Sequence, residues 1–190
     1  MASKVEICNR ALQKLGAERI TSLTEDSVNA RACNVAFEPT KLAELRLHPW
    51  NFAIKRAQLA ASATPPAFGR PNSFPLPADF VRLLPPYPEM NTNDLDWQIE
   101  GKSIYTFDDA PLNVRYIYDV TDPNEMDVLF RESLAAKLAV ELCEELTQSS
   151  SKQDSLATAY ELSIRNAKRN NGIENVGQEP PEDPFITVRF

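Results

Sequence analysis

The chain has 190 residues, 43 % of them hydrophobic and 25 % charged, with a formal net charge of -7. That balance suits one globular domain and is too acidic for broad wrapping of nucleic-acid phosphates. Cys8, Cys33 and Cys143 stand far apart with no CxxC spacing, which points away from zinc and disulfide frameworks and toward buried free thiols in a reducing compartment. No apolar run nears the roughly 20 residues of a membrane span, and MASKVEICNR lacks the apolar core of a secretion signal, so a soluble, cytosolically made protein is expected.

Ser3 and Glu6 form a capping box, and Val5, Cys8, Leu12 and Leu15 follow as one apolar stripe, which predicts a helix over 3–15 closed by Gly16. A second helix is expected after Thr24 or Asp26. Its inner face is read as Val28, Ala32, Val35 and Ala36, with Cys33 and Phe37 flanking. Pro39 either kinks that helix or ends it and opens another. Leu42 and Leu45 carry the stripe to His48, Pro49 breaks it, and Phe52 to Ala61 reads as a further helical turn or two.

From Thr64 to Pro88 prolines are dense, so the chain is expected to run extended over the surface, with a short strand at Phe80 to Leu84. Trp97 to Glu100 and Ser103 to Phe107 make a hairpin around Gly101-Lys102. Leu112, Val114, Tyr116 and Tyr118 alternate with Asn113, Arg115, Ile117 and Asp119, a strand with one apolar and one mixed face. Phe130, Leu134, Leu138, Leu142 and Leu146 then step by four within a helical segment, 122–147. Leu156, Tyr160, Ile164 and Ala167 do so in another, over 150–171. Residues 172–184 are polar and acidic, and the β-prone hexapeptide Phe185 to Phe190 follows them.

These elements predict an α+β fold, mainly α: a helical bundle built from both ends of the chain, a small antiparallel β insertion and an extended C-terminal tail. The segments are 1–62 for the N-terminal helices, 63–120 for the proline-rich arm and β region, 121–171 for the C-terminal helices, and 172–190 for the tail.

Chemistry is sparse. His48 is the sole histidine, and it has no nucleophile elbow or neighbouring cysteine beside it. The glycines form no GxG, so phosphate cradles are not expected. Asp108-Asp109 and Glu144-Glu145 are the visible carboxylate pairs, and a solvated surface is the simpler reading of both. No enzyme activity, cofactor or metal site is expected. His48 is read as capping a helix end through the last carbonyls. Trp50 and Phe52 are read as anchors of a core where helices meet. Lys41, Arg46, Lys55 and Arg56 give a locally basic segment that complements the acidic 122–147 helix, within one molecule or between copies.

The stretches KVEICNRALQKLG, ARACNVAFEPTKLAELRLHPWNFAIKRAQLA, FPLPADFVRLL and NVRYIYDVTD, in that order, resemble the head-to-tail adaptor family of short-tailed bacteriophages, the tail tubular protein A or head-completion group. Two pieces carry the resemblance. One is Arg46 to Ala53 with Lys55-Arg56 and Leu59-Ala60; the other is Leu76 to Leu84. The resemblance implies a virion structural protein, assembled in the host cytoplasm. It would form a ring, usually of twelve copies, between the portal and the tail nozzle or tube. The ring would prolong the DNA channel, with DNA passing through without specific binding, and would serve as a platform for tail assembly. By position, the tail Phe185, Ile186, Thr187, Val188, Arg189 and Phe190 would bind the portal, here read as strand addition. His48, Pro49, Trp50, Phe52 and Arg56 would belong to the core and ring architecture. Phe80, Trp97 and Tyr105 would meet the tubular protein B-like nozzle component. Glu132, Glu141, Glu144 and Glu145 are the acids expected on the channel wall, which gains by repelling DNA. Two other readings stand beside this one: a tail-borne cell-envelope hydrolase, and a nucleic-acid-binding accessory using Trp50, Lys55 and Arg56.

Overall fold

A computed structural model describes residues 2–85 and 96–174. Helix α1, Lys4–Leu15, starts where Ser3 Oγ accepts the Glu6 amide and ends where Gly16 turns left-handed at φ 69°. Helix α2, Val28–Leu47, is capped by Ser27 and runs through Pro39 without ending. Its inner face differs from the expected one. Ala30, Cys33, Phe37, Lys41, Glu44 and Leu45 are buried, whereas Val28 and Val35 are 57 % and 76 % exposed. The reason is polar. Lys41 Nζ sits 2.7 Å from both Glu38 and Asp119, and Tyr160 donates to Glu44 Oε1 at 2.7 Å. Partnered charges can be buried, so a count of apolar residues misplaces the face.

The chain leaves α2 through a single 3-10 turn, Asn51–Ala53, and enters strand β1, Ile54–Leu59. This corrects the helical expectation for Phe52 to Ala61 and moves β1 out of the N-terminal helical segment. Six residue pairs, from Ile54 opposite Ile117 to Leu59 opposite Leu112, join β1 to β6, Leu112–Tyr118. Strand formation here depends on that distant partner, and pairing overrides the helical preference of an alanine-bearing run.

Strands β2 (Asn72–Pro75), β3 (Phe80–Leu84), β4 (Trp97–Glu100) and β5 (Ser103–Thr106) complete two antiparallel sheets, ordered β1-β6-β3 and β2-β5-β4. Pro75 closes an edge strand, where a missing amide donor is tolerated. Gly101, at φ 57°, opens the two-residue turn between β4 and β5. A bulge between Phe80 and Arg82 shifts the phase of β3. Phe80 and Leu83 therefore share one side and Val81 and Leu84 the other, as an extra residue in a ladder requires.

Helices α3, Val128–Thr147, and α4, Ser150–Ile173, form the C-terminal part, capped by Asp127 and Ser149. The first sheet has a core on each side. Ile117, Leu84 and Val81 pack into the helical cluster around Leu12, Phe37, Trp50, Phe130, Leu134 and Leu138. Leu112, Val114 and Tyr116 face Phe74 and Ile104 of the second sheet. The fold is α+β and mainly α, as expected. All three cysteines are buried and free. Among the described residues, no helix is long and apolar enough to cross a membrane.

Candidate functional site

The stretch HPWN forms a joint where helices and sheets meet. Pro49 disfavours helical geometry at the residue before it, and His48 is extended at φ -143° and ψ 145°. A helix end leaves its last carbonyls without helical partners. Trp50 Nε1 takes the Glu44 carbonyl at 3.0 Å, and Arg82 takes that of Arg46 at 3.1 Å. The Trp50 ring, 1 % exposed, packs edge-on to Phe130 at 5.0 Å, and Phe52 also contacts Phe130. Trp50 and Phe52 are thus core anchors, as expected.

His48 is not the carbonyl cap that the sequence suggests. Its Nε2 lies 3.1 Å from the Asn171 amide, and its ring packs edge-on against Trp50 at 4.8 Å. Burial, with the nearby cations Lys168 and Arg82, holds the imidazole below its usual pKa. Asn171 is not among the residues the sequence singles out, yet it organises the joint. Its Oδ1 accepts the Asn51 amide at 2.9 Å, its carbonyl accepts Asn51 Nδ2 at 2.9 Å, and its own amide donates to the Pro49 carbonyl at 3.3 Å. An asparagine near a helix end reads locally as a cap, so nothing in the spacing points to a turn 120 residues away. A recess of about 360 Å³ opens beside this clamp, lined by Asn51, Phe52, Met126, Asp127, Asn171 and Glu174 among others.

The second sequence piece, Leu76 to Leu84, meets the first at the same joint. Arg46 donates to the Val81 carbonyl, Lys55 reaches Asp79 at 2.7 Å, and the Tyr116 hydroxyl donates to the other Asp79 oxygen at 3.0 Å. Burial alone would raise the Asp79 carboxyl; the Lys55 ammonium and Tyr116 hydroxyl outweigh it and hold it below the usual carboxylate range. Burial and that same carboxylate push the Tyr116 phenol up to about 12.

Other predicted residues fall elsewhere. Arg56 is exposed on β1 opposite Arg115 and takes no part in the joint. The expected attraction between the basic segment and the 122–147 acids is not realised within the molecule. Lys41 is engaged by Glu38 and Asp119, Lys55 by Asp79, and Glu132 by Arg10 and Lys14 of α1. Burial of Glu132 works against ionisation, but Lys14 and Arg10 still hold its carboxyl low. Glu141 pairs with Lys137, while Glu144 and Glu145 are exposed. Of the four acids expected on a channel wall, two are therefore already paired.

Phe80 and Trp97 turn toward the space between the sheets, and Tyr105 is half-buried opposite Ser73 and Gln98. Tyr105 alternates with the buried Ile104 and Thr106, so it lies on the opposite face of its strand from the inter-sheet cluster that Phe80 and Trp97 join. Among the described residues of that region, the large exposed apolar side chains are Phe68, Ile99 and Phe107. Asp108 is tied into its own turn, with Thr106 Oγ1 donating to its carboxylate at 3.0 Å, and Asp109 is exposed. The predicted contact Phe185 to Phe190 lies outside the described residues. Among the described residues, no group of three or more His, Cys, Asp or Glu side chains is placed to hold a metal. Neither a scan against protein-family models nor a search of curated proteins finds a match to this chain.

Proposed function

We propose that this protein is a virion structural adaptor. In this reading it forms a ring, of twelve copies by the family resemblance, between the portal and the tail nozzle of a short-tailed bacteriophage, and extends the DNA channel. The observation that carries the reading is the joint. The two sequence pieces on which the resemblance rests are separated in the chain, yet they meet through Arg46 with Val81, Arg82 with Arg46, and Lys55 with Asp79. They behave as one structural unit that sets a helical bundle against a sheet. A motif whose job is to fix two layers suits an assembly part, since its groups are spent on each other. Further support comes from α2, where Val28, Val35 and Leu42 leave an apolar row facing outward at steps of seven. In this reading the Phe185–Phe190 tail engages the portal.

The test is co-sedimentation of the purified protein with the portal ring of the same phage, followed by electron microscopy. The expected result is a ring of added density on the portal's narrow end, whose symmetry gives the copy number. A protein that stays small and unbound beside intact portals overturns the reading.

A further inference from the structure

We infer that copies of this chain join head to tail by strand addition, the outer edge of β1 in one copy pairing antiparallel with the outer edge of β4 in the next. The two sheets have four outer strands: β1 and β3 in the first, β2 and β4 in the second. Two of these edges are already engaged. The Ser62 amide donates to the Ser73 carbonyl of β2 at 2.7 Å, and Arg46 takes the Val81 carbonyl of β3. Among the described residues, no backbone bond from another segment reaches the outer edge of β1 or of β4. Such edges are templates for a further strand. The Ser62 bond also sets the geometry. It carries the chain past β1 to the outside of β2, so these two strands border the same side of the paired sheets. Strand β4, across β5 from β2, borders the opposite side. Each copy therefore presents one edge of each kind, a heterologous contact that repeats from copy to copy.

Side-chain pattern fixes the register. Setting Gln58 opposite Gln98 of the neighbour places Ala57 opposite Ile99 and Leu59 opposite Trp97. Ala57 and Leu59 face the inter-sheet cluster of their own copy, and Trp97 does the same in its copy. Ile99 shares the Trp97 side because it stands opposite the buried Ile104. Directly opposed residues of a ladder lie on one face. The joined sheet thus keeps its apolar side chains together and gives Ile99, 44 % exposed, an apolar neighbour. On the other face Arg56, Gln58, Gln98 and Glu100 are all exposed. Gln98 accepts Arg70 through its oxygen at 2.7 Å, so its amide group remains to donate to Gln58. A one-residue slip would set Arg56 against Ile99 and turn each side chain to the wrong face.

Charge selects the partner edge. In this register Arg56 meets Glu100 of the neighbour. Arg56 also faces Arg115 across its own ladder, and a carboxylate on its other side offsets that like-charge pair. Two β1 edges would bring Arg56 beside a second basic strand, and two β4 edges would bring Glu100 beside a second acidic one. A parallel arrangement would keep the faces but set Arg56 against Asp96, which Arg70 already holds at 2.6 Å. It would also leave Glu100 against Ala60. The antiparallel ladder is the one that gives Arg56 its own carboxylate.

That such contacts close into a ring rests on the adaptor reading; the contact itself rests on the two edges alone. The test uses the full chain as two variants, Gln58→Cys and Gln98→Cys, mixed and treated with a short bismaleimide. Cys8, Cys33 and Cys143 are buried, and the wild type serves as the blank. Expected is a cross-linked dimer in the mixture at several times the yield from either variant alone. Adding Glu100→Arg to the Gln98→Cys chain should cut that yield about fivefold. Adding Arg56→Glu to the Gln58→Cys chain should then restore it. A mixture that yields no more dimer than the single variants overturns the inference. A yield that Glu100→Arg leaves unmoved overturns the antiparallel register, and a loss that Arg56→Glu does not restore overturns the pairing of Arg56 with Glu100. Failure of the adaptor reading shows separately, in the portal experiment: added density on the portal without cross-links keeps the adaptor and sinks the edge pairing, and cross-links without density do the reverse.

Discussion

The two sheets have the same number of strands and the same antiparallel order, yet they stand in unequal surroundings. The first is covered on both faces, by the helical cluster on one side and the inter-sheet cluster on the other. The second is held chiefly through Phe74 and Ile104, and beyond it Phe68, Ile99 and Phe107 are exposed. Stability follows buried apolar contact, so the first sheet shares the fate of the bundle and the second belongs to the low-stability end of the molecule.

Trp50→Ala should be the most damaging single change. It empties a buried site against Phe130 and leaves the Glu44 carbonyl without its indole donor. A loss of about 3–5 kcal/mol is expected, read from the urea midpoint by far-ultraviolet circular dichroism. A near-neutral result would mean that the joint is not what ties the sheet to the bundle.

Ile104→Ala sits at the heart of the other core and should cost about 2 kcal/mol, the low end for such a truncation. The expected signature is local. Amides of β4 and β5 should exchange faster, while α1 and α3 keep their protection. A uniform loss across the molecule would erase the distinction between the sheets and make both cores one cooperative unit.

The same contrast explains what is legible in the sequence. Helix α1, the α3 and α4 stripes, the β4–β5 hairpin and β6 are set by local period, caps and turn residues, and the structure has them near the expected bounds. Trp50 and Phe52 are legible as anchors because large aromatics beside a helix-ending proline have few other uses. The failures are non-local. Strand β1 exists because β6 pairs with it, and no local signal in Ile54 to Leu59 announces a partner so far along the chain. The α2 face escapes the sequence because Lys41 and Glu44 point inward to partners on other elements. Asn171 escapes it because its bonds reach back to the turn after α2, 120 residues earlier in the chain.

The bundle core differs from the inter-sheet core in carrying a buried carboxylate. Burial raises the pKa of Glu44 from its ordinary 4.5, and the Tyr160 hydroxyl with Lys137 and Lys168 only partly offsets this. A carboxyl whose folded pKa is raised favours the folded state while protonated. That contribution is whole below the unfolded value, about 4.3, and is lost as pH rises through the folded value. Glu44→Gln keeps an acceptor for Tyr160 and cannot ionise. Its urea midpoint should therefore gain on the wild type as pH is raised from about 4 to about 8. A pH-independent difference would show that the carboxylate is fully compensated where it lies.

The smallest expected effect tests the exposed edge of the better-covered sheet. Arg56 and Arg115 stand opposite each other, and directly opposed like charges weaken a strand pair. Arg56→Glu turns repulsion into attraction and should stabilise by about 0.2–1 kcal/mol at low ionic strength, fading as salt screens an exposed pair. The check is the urea midpoint of wild type and variant compared at low and at high salt. A difference that does not shrink as salt is added would show that the charge facing Arg115 across the ladder is not what the substitution changes.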